Sequence, residues 1–385
     1  MQFKVGDLAG RAPQGFTSLD LRHPPKLSRI PPSDVCQFIA MKYLRRLARI
    51  CATKAGELAG ITVISPRDRD NILKSAPHLA GYFLGKESVK APSGRLPDNA
   101  ADYLNAGNPV LVELRTRYAQ HPATDHSQWD LTSVANSLDL QYFRADNIYV
   151  YQSRRYSPLA FYATAAFAVR VDVSGLMTIL QEDDYFGAEL FDFHEKLVSR
   201  DLIDSVIEIN FLQRHLKLNR LIDNFCVLDI GAGYGRLAHR LGNAFPHAKY
   251  YCVDAVPEST FICDYYLKFR KSSHRCIVVP LDKFGELKPG QIDLAVNVHS
   301  FAECRISAIS WWLERLRDLQ VPYLFIATGS ALGLTSNENG LREDFQPHLR
   351  RVGFKLVAKE AKFHGAPVLE TYGLYPADYY LFRRA

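Results

Sequence analysis

Val227-Leu228-Asp229-Ile230-Gly231-Ala232-Gly233-Tyr234-Gly235, running into Arg236-Leu237-Ala238, is the stretch that decides the fold. An apolar strand-like run ends at Asp229, the glycines alternate one by one, and a helical pattern opens at once. Glycine suits such a turn because a Cβ would block a ligand lying against the backbone. A glycine-rich turn alone is shared with dinucleotide-binding folds. Their fingerprint keeps two residues between its second and third glycines, so that a pyrophosphate meets the helix N-terminus. Here single residues separate the glycines, and an acid stands two positions before the first. That carboxylate would repel a pyrophosphate and would suit a ligand with an ammonium group.

Outward from this turn, the C-terminal half alternates strand-like and helical runs. Strands are predicted at Phe225–Ile230, Tyr250–Asp254, Cys276–Leu281, Ile292–Val298, Tyr323–Ala327, Phe354–Ala358 and Tyr379–Phe382. Helices fit at 234–245, 257–271, 303–319 and 342–352, and Ser199 is placed to cap a helix through Leu216. Strands separated by single helices imply a doubly wound α/β sheet, and the last two runs an antiparallel hairpin at one edge. The first half reads differently. Residues 1 to 30 form an irregular arm, helical periods cover 34–59, 66–85, 99–120 and 155–180, and 86–98 is a Pro, Gly and Ser loop. The pattern predicts a mainly α-helical domain over 1–198 and a ligand-binding α/β domain over 199–385.

The strand tips sharpen the ligand. S-adenosylmethionine has no phosphate but carries an amino-acid head and a sulfonium, and Asp229 suits its ammonium. Asp254 ends the next strand, 25 residues on, where a carboxylate accepts both hydroxyls of a ribose. Leu281 and Asp282 end the third, where an apolar contact and an acid flank adenine and its amino group. The expected cofactor set is Asp229, Gly231, Ala232, Gly233, Gly235, Asp254, Leu281 and Asp282, with Asn297 from the fourth tip.

That fourth tip reads Asn297-Val298-His299-Ser300-Phe301-Ala302-Glu303. Methyl transfer to a hydroxyl requires the oxygen to lose a proton, and a neutral His with a pKa near working pH is a natural acceptor. Glu303, four residues later, would sit one helical turn on and orient the imidazole. The competing reading has His299 capping the helix and Glu303 favouring its N-terminal dipole. Tyr151, Arg154 and Tyr379 are candidates for the acceptor, within a stretch dense in such groups that also holds Arg144, Asp146, Asn147, Tyr149, Arg155 and Tyr156. No His-Glu-x-x-His helix or nucleophile elbow occurs, the fourth tip lacks paired acids, and no divalent metal is expected. Trp311-Trp312 lies on apolar helical spacing and reads as core.

Composition bounds the rest. The chain has 385 residues, 47% hydrophobic and 23% charged, with 47 basic and 41 acidic residues giving a net charge of +6. These are values of a folded globular chain of two-domain length. No block of like charge suggests nucleic acid as a partner. Seven cysteines without a Cys-x-x-Cys pair read as reduced thiols of a cytoplasmic protein. The start, MQFKVGDLAGRAPQ, lacks a signal-peptide pattern. The apolar run Leu159–Val169 is shorter than a membrane span, so no membrane partner is expected. A homo-oligomer is compatible with these numbers.

From NPVLVELRTRYAQHP (108–122), HSQWD (126–130), FRADNIYVYQ (143–152), SRDLIDSVIEINFLQRHL (199–216), the glycine turn, NVHSFAECRISAISWWL (297–313) and LYPADYYLF (374–382), the chain resembles sugar O-methyltransferases of glycosylated natural products and polysaccharides. The resemblance covers roughly residues 100 to 385. It implies a seven-stranded methyltransferase fold and a sugar hydroxyl as acceptor, and it does not fix the base. The alternatives are a non-sugar small molecule, an RNA or protein nitrogen, or an inactive cofactor-binding scaffold. Nitrogen-directed enzymes of the nucleic-acid kind carry Asn/Asp-Pro-Pro-aromatic at the fourth tip, which this tip lacks.

Overall fold

The computed structural model describes residues 94–125, 129, 134, 138–145, 158–218 and 225–385, and the backbone of Val89–Lys90. All belong to one compact unit, Ala55–Ala385, and the unit Met1–Lys54 lies outside the described residues.

Its centre is a seven-stranded sheet of β4 (Cys226–Ile230), β5 (Lys249–Val253), β6 (Cys276–Val278), β7 (Leu294–Val298), β8 (Tyr323–Gly329), β9 (Phe354–Ala361) and β10 (Ala377–Arg384), in the order β6-β5-β4-β7-β8-β10-β9. The first five pair in parallel; β10 runs antiparallel between β8 and β9. The expected hairpin is there, with β9 as the edge. This is a mixed α/β fold built on a mostly parallel, doubly wound sheet. The strand order reverses between β4 and β7, and there the loops after two neighbouring strands part and leave a crevice.

The connecting helices follow their sequence signals. Helix α3 (Arg200–Leu216) starts where Ser199 Oγ accepts from Leu202 N at 3.1 Å and stops at Lys217 in left-handed conformation. α4 (Arg236–Ala244) starts directly from the glycine turn, and α5 (Pro257–Phe269) has its proline in the first turn, where no N–H is needed. α6 (Ile306–Asp318) and α7 (Gln346–Arg351) complete the half. The buried faces of β7 and β8 are almost wholly Leu, Ala, Val, Phe and Ile, as a sheet covered on both sides requires.

Ahead of α3, the described residues include α1 (Pro109–Tyr118) and α2 (Pro158–Val171), the latter buried all round from Leu159 to Ala168. They also include an unexpected antiparallel sheet of β1 (Val89–Lys90), β2 (Leu190–Phe193) and β3 (Lys196–Val198). The β2–β3 turn is His194-Glu195, both at positive φ, the geometry usually signalled by Asn-Gly. The first half is therefore not helical alone. Nor is 198/199 a break in packing: Arg144 and Glu182, before it, share buried ion pairs with Asp201 and Arg240, after it.

The five described cysteines, Cys226, Cys252, Cys263, Cys276 and Cys304, are buried free thiols; Cys36 and Cys51 lie outside the described residues. Among the described residues no helix is long and apolar enough to cross a membrane.

Candidate functional site

A cleft opens at the carboxyl ends of β4, β5 and β7, walled by Asp229, the glycine turn, Asp254, Arg236 and His299. The turn is fixed by its own backbone. Gly231 N and Ala232 N both donate to Val253 O, at 2.9 and 3.2 Å, and Gly235 N donates to Ala232 O at 2.9 Å. Gly231 (φ 71°), Gly233 (φ 56°) and Gly235 (φ 84°) are left-handed. The clash that forbids a Cβ at Gly231 is internal: it would lie 2.2 Å from Ser300 Oγ, on the turn after β7. The glycine thus brings two strand tips together as well as exposing backbone.

Asp229 is 5% exposed, lines the cleft and has no hydrogen-bond partner for its carboxylate among the described residues. Burial pushes it up to about 7; Arg236 draws it back and Asp254 adds to the rise. Asp254 accepts Gly233 N at 2.9 Å and Val256 N at 2.8 Å. Burial lifts it to about 6 despite those bonds. Arg236, in the cleft wall, is held by Glu208 (2.9 Å) and Ser205 (2.8 Å). Of the expected cofactor set, Asp229 and Asp254 line this cleft with Gly231, Ala232 and Gly233, and Arg236 joins them unexpected.

Five expected members lie elsewhere, the first being Gly235, whose α-carbon packs against Cys263 and Leu267 of α5. Asn297 is fully buried: its Nδ2 donates to Ile230 O at 3.0 Å and its Oδ1 accepts Phe301 N at 2.9 Å, so its amide staples β7 to β4 instead of facing a ligand. Leu281 is buried beside α1, and Asp282, still open to solvent, is held by it. Leu281 N donates to Tyr118 Oη at 2.7 Å, and Arg117 grips both oxygens of Asp282. Tyr379 is 2% exposed, wedged between Phe211 and Phe325 as part of the core. Tyr151 and Arg154 lie outside the described residues, as do Asp146, Asn147, Tyr149, Arg155 and Tyr156; Arg144 is buried in ion pairs.

His299 does reach the cleft, at a left-handed φ of 65°. Its ring meets Tyr375 edge-on at 5.1 Å, and its Nδ1 is buried without a partner. Burial first, and then the nearby Arg200, push it down to about 3, so the expected near-neutral pKa is not what this environment gives. Glu303 does not orient the ring. Residues 300–303 form a 3-10 turn, whose three-residue period carries position 303 away from 299. Glu303 Oε2 instead accepts from Trp129 Nε1 at 2.7 Å, and both side chains line the cleft.

Two features were missed in the sequence. Trp129, within the quoted HSQWD, brings the first half of the chain to the cleft. Tyr234, in the glycine turn, donates to Asp201 Oδ2 at 2.8 Å, and Asp201 pairs with Arg240 (2.9 Å) and Arg144 (3.2 Å). The acid at the start of a buried amphipathic helix was the available signal.

No protein-family model matches the chain, and no curated protein does. Among solved structures it is similar to the cyclase SpnF, at 17% identity, with 48% of this chain and 83% of that one covered and a TM-score of 0.35. It is similar to magnesium protoporphyrin IX methyltransferase from Synechocystis PCC 6803 with bound SAM, at 12% identity, 48% and 83% coverage and a TM-score of 0.36. It is also similar to geranyl diphosphate C-methyltransferase from Streptomyces coelicolor A3(2), at 10% identity, 49% and 79% coverage and a TM-score of 0.37.

Proposed function

We propose that the chain is an S-adenosylmethionine-dependent methyltransferase whose acceptor is a hydroxyl of a sugar carried on a larger molecule. The observation that carries the cofactor half of this reading is Asp229. A buried carboxylate without a partner is costly, and a cationic group from a ligand removes the cost. Its place beside a left-handed glycine turn, at the point where the strand order reverses, fits an amino-acid head lying against the backbone. Asp254, one strand over, keeps lone pairs beyond its two backbone bonds for ribose hydroxyls. When bound, the cofactor supplies an activated methyl group.

The chain's own residues then do three things. Asp229 holds the ammonium and Asp254 the ribose, while Arg236 stays locked on Glu208 and leaves Asp229 to the ligand. His299 stands in the cleft with an unpartnered Nδ1, the atom that would take the proton from the acceptor hydroxyl. Trp129 and Glu303 offer a flat apolar face and a carboxylate, the two kinds of group that a sugar uses. The sugar itself rests on the resemblance of the quoted tracts.

One observation favours a second reading, transfer to a nitrogen or to an already ionised oxygen. His299 has cationic neighbours and no carboxylate partner, which makes it a weak base. Labelled cofactor with a panel of deoxysugar glycosides separates the two. On the first reading a glycoside is labelled and His299→Ala slows that turnover by about 10²–10⁴-fold with cofactor affinity unchanged. Labelling that survives His299→Ala at near-wild-type rate favours the second.

A further inference from the structure

Helix α1 lies beside the cleft, on the start of α5 and the turn after β6, and its contacts there are polar. Arg115 Nε donates to Glu258 Oε1 at 2.8 Å, at the start of α5. Tyr118, fully buried, takes the Leu281 N–H at 2.7 Å and shares a hydrogen bond with Thr260 Oγ1 at 3.2 Å. Arg117 Nε and Nη2 reach both oxygens of Asp282, at 2.7 to 3.0 Å. A hydroxyl and a cation therefore satisfy the donor and the carboxylate that open the 3-10 turn after β6, where the base of a nucleoside would find a matching pair. The cleft that remains is narrow, with about 100 Å³ of free volume, against roughly 300–1,000 Å³ for sites that take small ligands.

We propose that α1 is a gate that competes with the ligand for the base end of the cleft, with Tyr118 and Arg117 occupying Leu281 N and Asp282 until the ligand displaces them. The proposal rests on the cofactor reading above. The strand tips of the cleft are held by ladders on both sides, and the glycine turn by its bonds to Val253 O. α1 is the removable part. It buries only Leu111, Leu114 and Tyr118, while Val110 and Val112 stay about half exposed, and its ion pair with Asp282 is roughly one-third open to solvent on both sides. Pairs that open to water hold weakly and are screened by salt.

The test uses S-adenosylhomocysteine as probe, with the full chain, Arg117→Ala and Tyr118→Phe. Under the gate, both variants bind it at least about threefold tighter by calorimetry. Amide exchange across 109–118 in the unmodified protein speeds up when the probe is added. If the unmodified protein binds but a variant binds no better, or if 109–118 exchanges no faster, the gate is wrong and the cofactor reading stands. If none of the three proteins binds, the cofactor reading falls and the gate falls with it.

Discussion

At the scale of single residues, the site is defined by two carboxyl groups held out of water. Asp229, at about 7, binds its proton more tightly in the folded chain than in the unfolded one, where Asp titrates near 4. Ionising it therefore costs stability, and the cost grows as pH rises from about 4 to about 7 and is constant above. Asp229→Asn is expected to stabilise the ligand-free protein at pH 8 by a few kcal/mol, on the order set by that difference, with the gain shrinking toward zero at pH 4. Thermal melts across this range check it. The same substitution should abolish the pH dependence of S-adenosylhomocysteine binding near pH 7. In the unmodified protein, that affinity should fall below pH 7, and more steeply below about 6 as Asp254 takes up its proton too. Asp229 was legible because an acid two positions before a glycine turn has one direction to face. Asn297 was not: a polar residue on a strand tip serves the backbone or a ligand equally well, and only the neighbouring carbonyl of Ile230 decides.

At the scale of elements, the alternation of strands and helices after Ser199 was readable from period alone, because parallel strands buried on both faces are continuous apolar runs. The β2–β3 hairpin was hidden because its turn uses His194-Glu195 at positive φ, a conformation that composition does not announce. Glu303 was misplaced for a related reason: four residues make a turn of an α-helix but not of a 3-10 helix. The meeting of the glycine turn with the turn after β7 is the element-level feature most open to test. Gly231→Ala forces a side chain into a left-handed position 2.2 Å from Ser300 Oγ and should cost roughly 2–4 kcal/mol of stability. Adding Ser300→Gly should recover the steric part and leave the backbone part. Denaturant melts of the single and double variants measure the coupling, and simple additivity would mean that the two turns do not meet.

At the scale of the molecule, the two halves of the chain are joined by buried charge. Asp201 on α3 holds Tyr234 of the glycine turn, Arg240 of α4 and Arg144 from the first half, so the ligand-facing turn is braced from outside its own sheet. Asp201 lies well below the ordinary carboxylate range because Arg240 and Arg144 outweigh its burial. Its contribution to stability is thus present above about pH 4 and lost as pH falls. Asp201→Asn leaves two buried guanidinium groups short of a partner and should cost about 3–5 kcal/mol at pH 7. A loss under 1 kcal/mol would mean that the network is not closed. What the cleft binds is measured most directly by calorimetric titration with S-adenosylmethionine and, separately, with NAD. The buried, unpartnered Asp229 and the singly spaced glycines predict micromolar binding of S-adenosylmethionine and none of NAD; binding of NAD without S-adenosylmethionine would contradict the account.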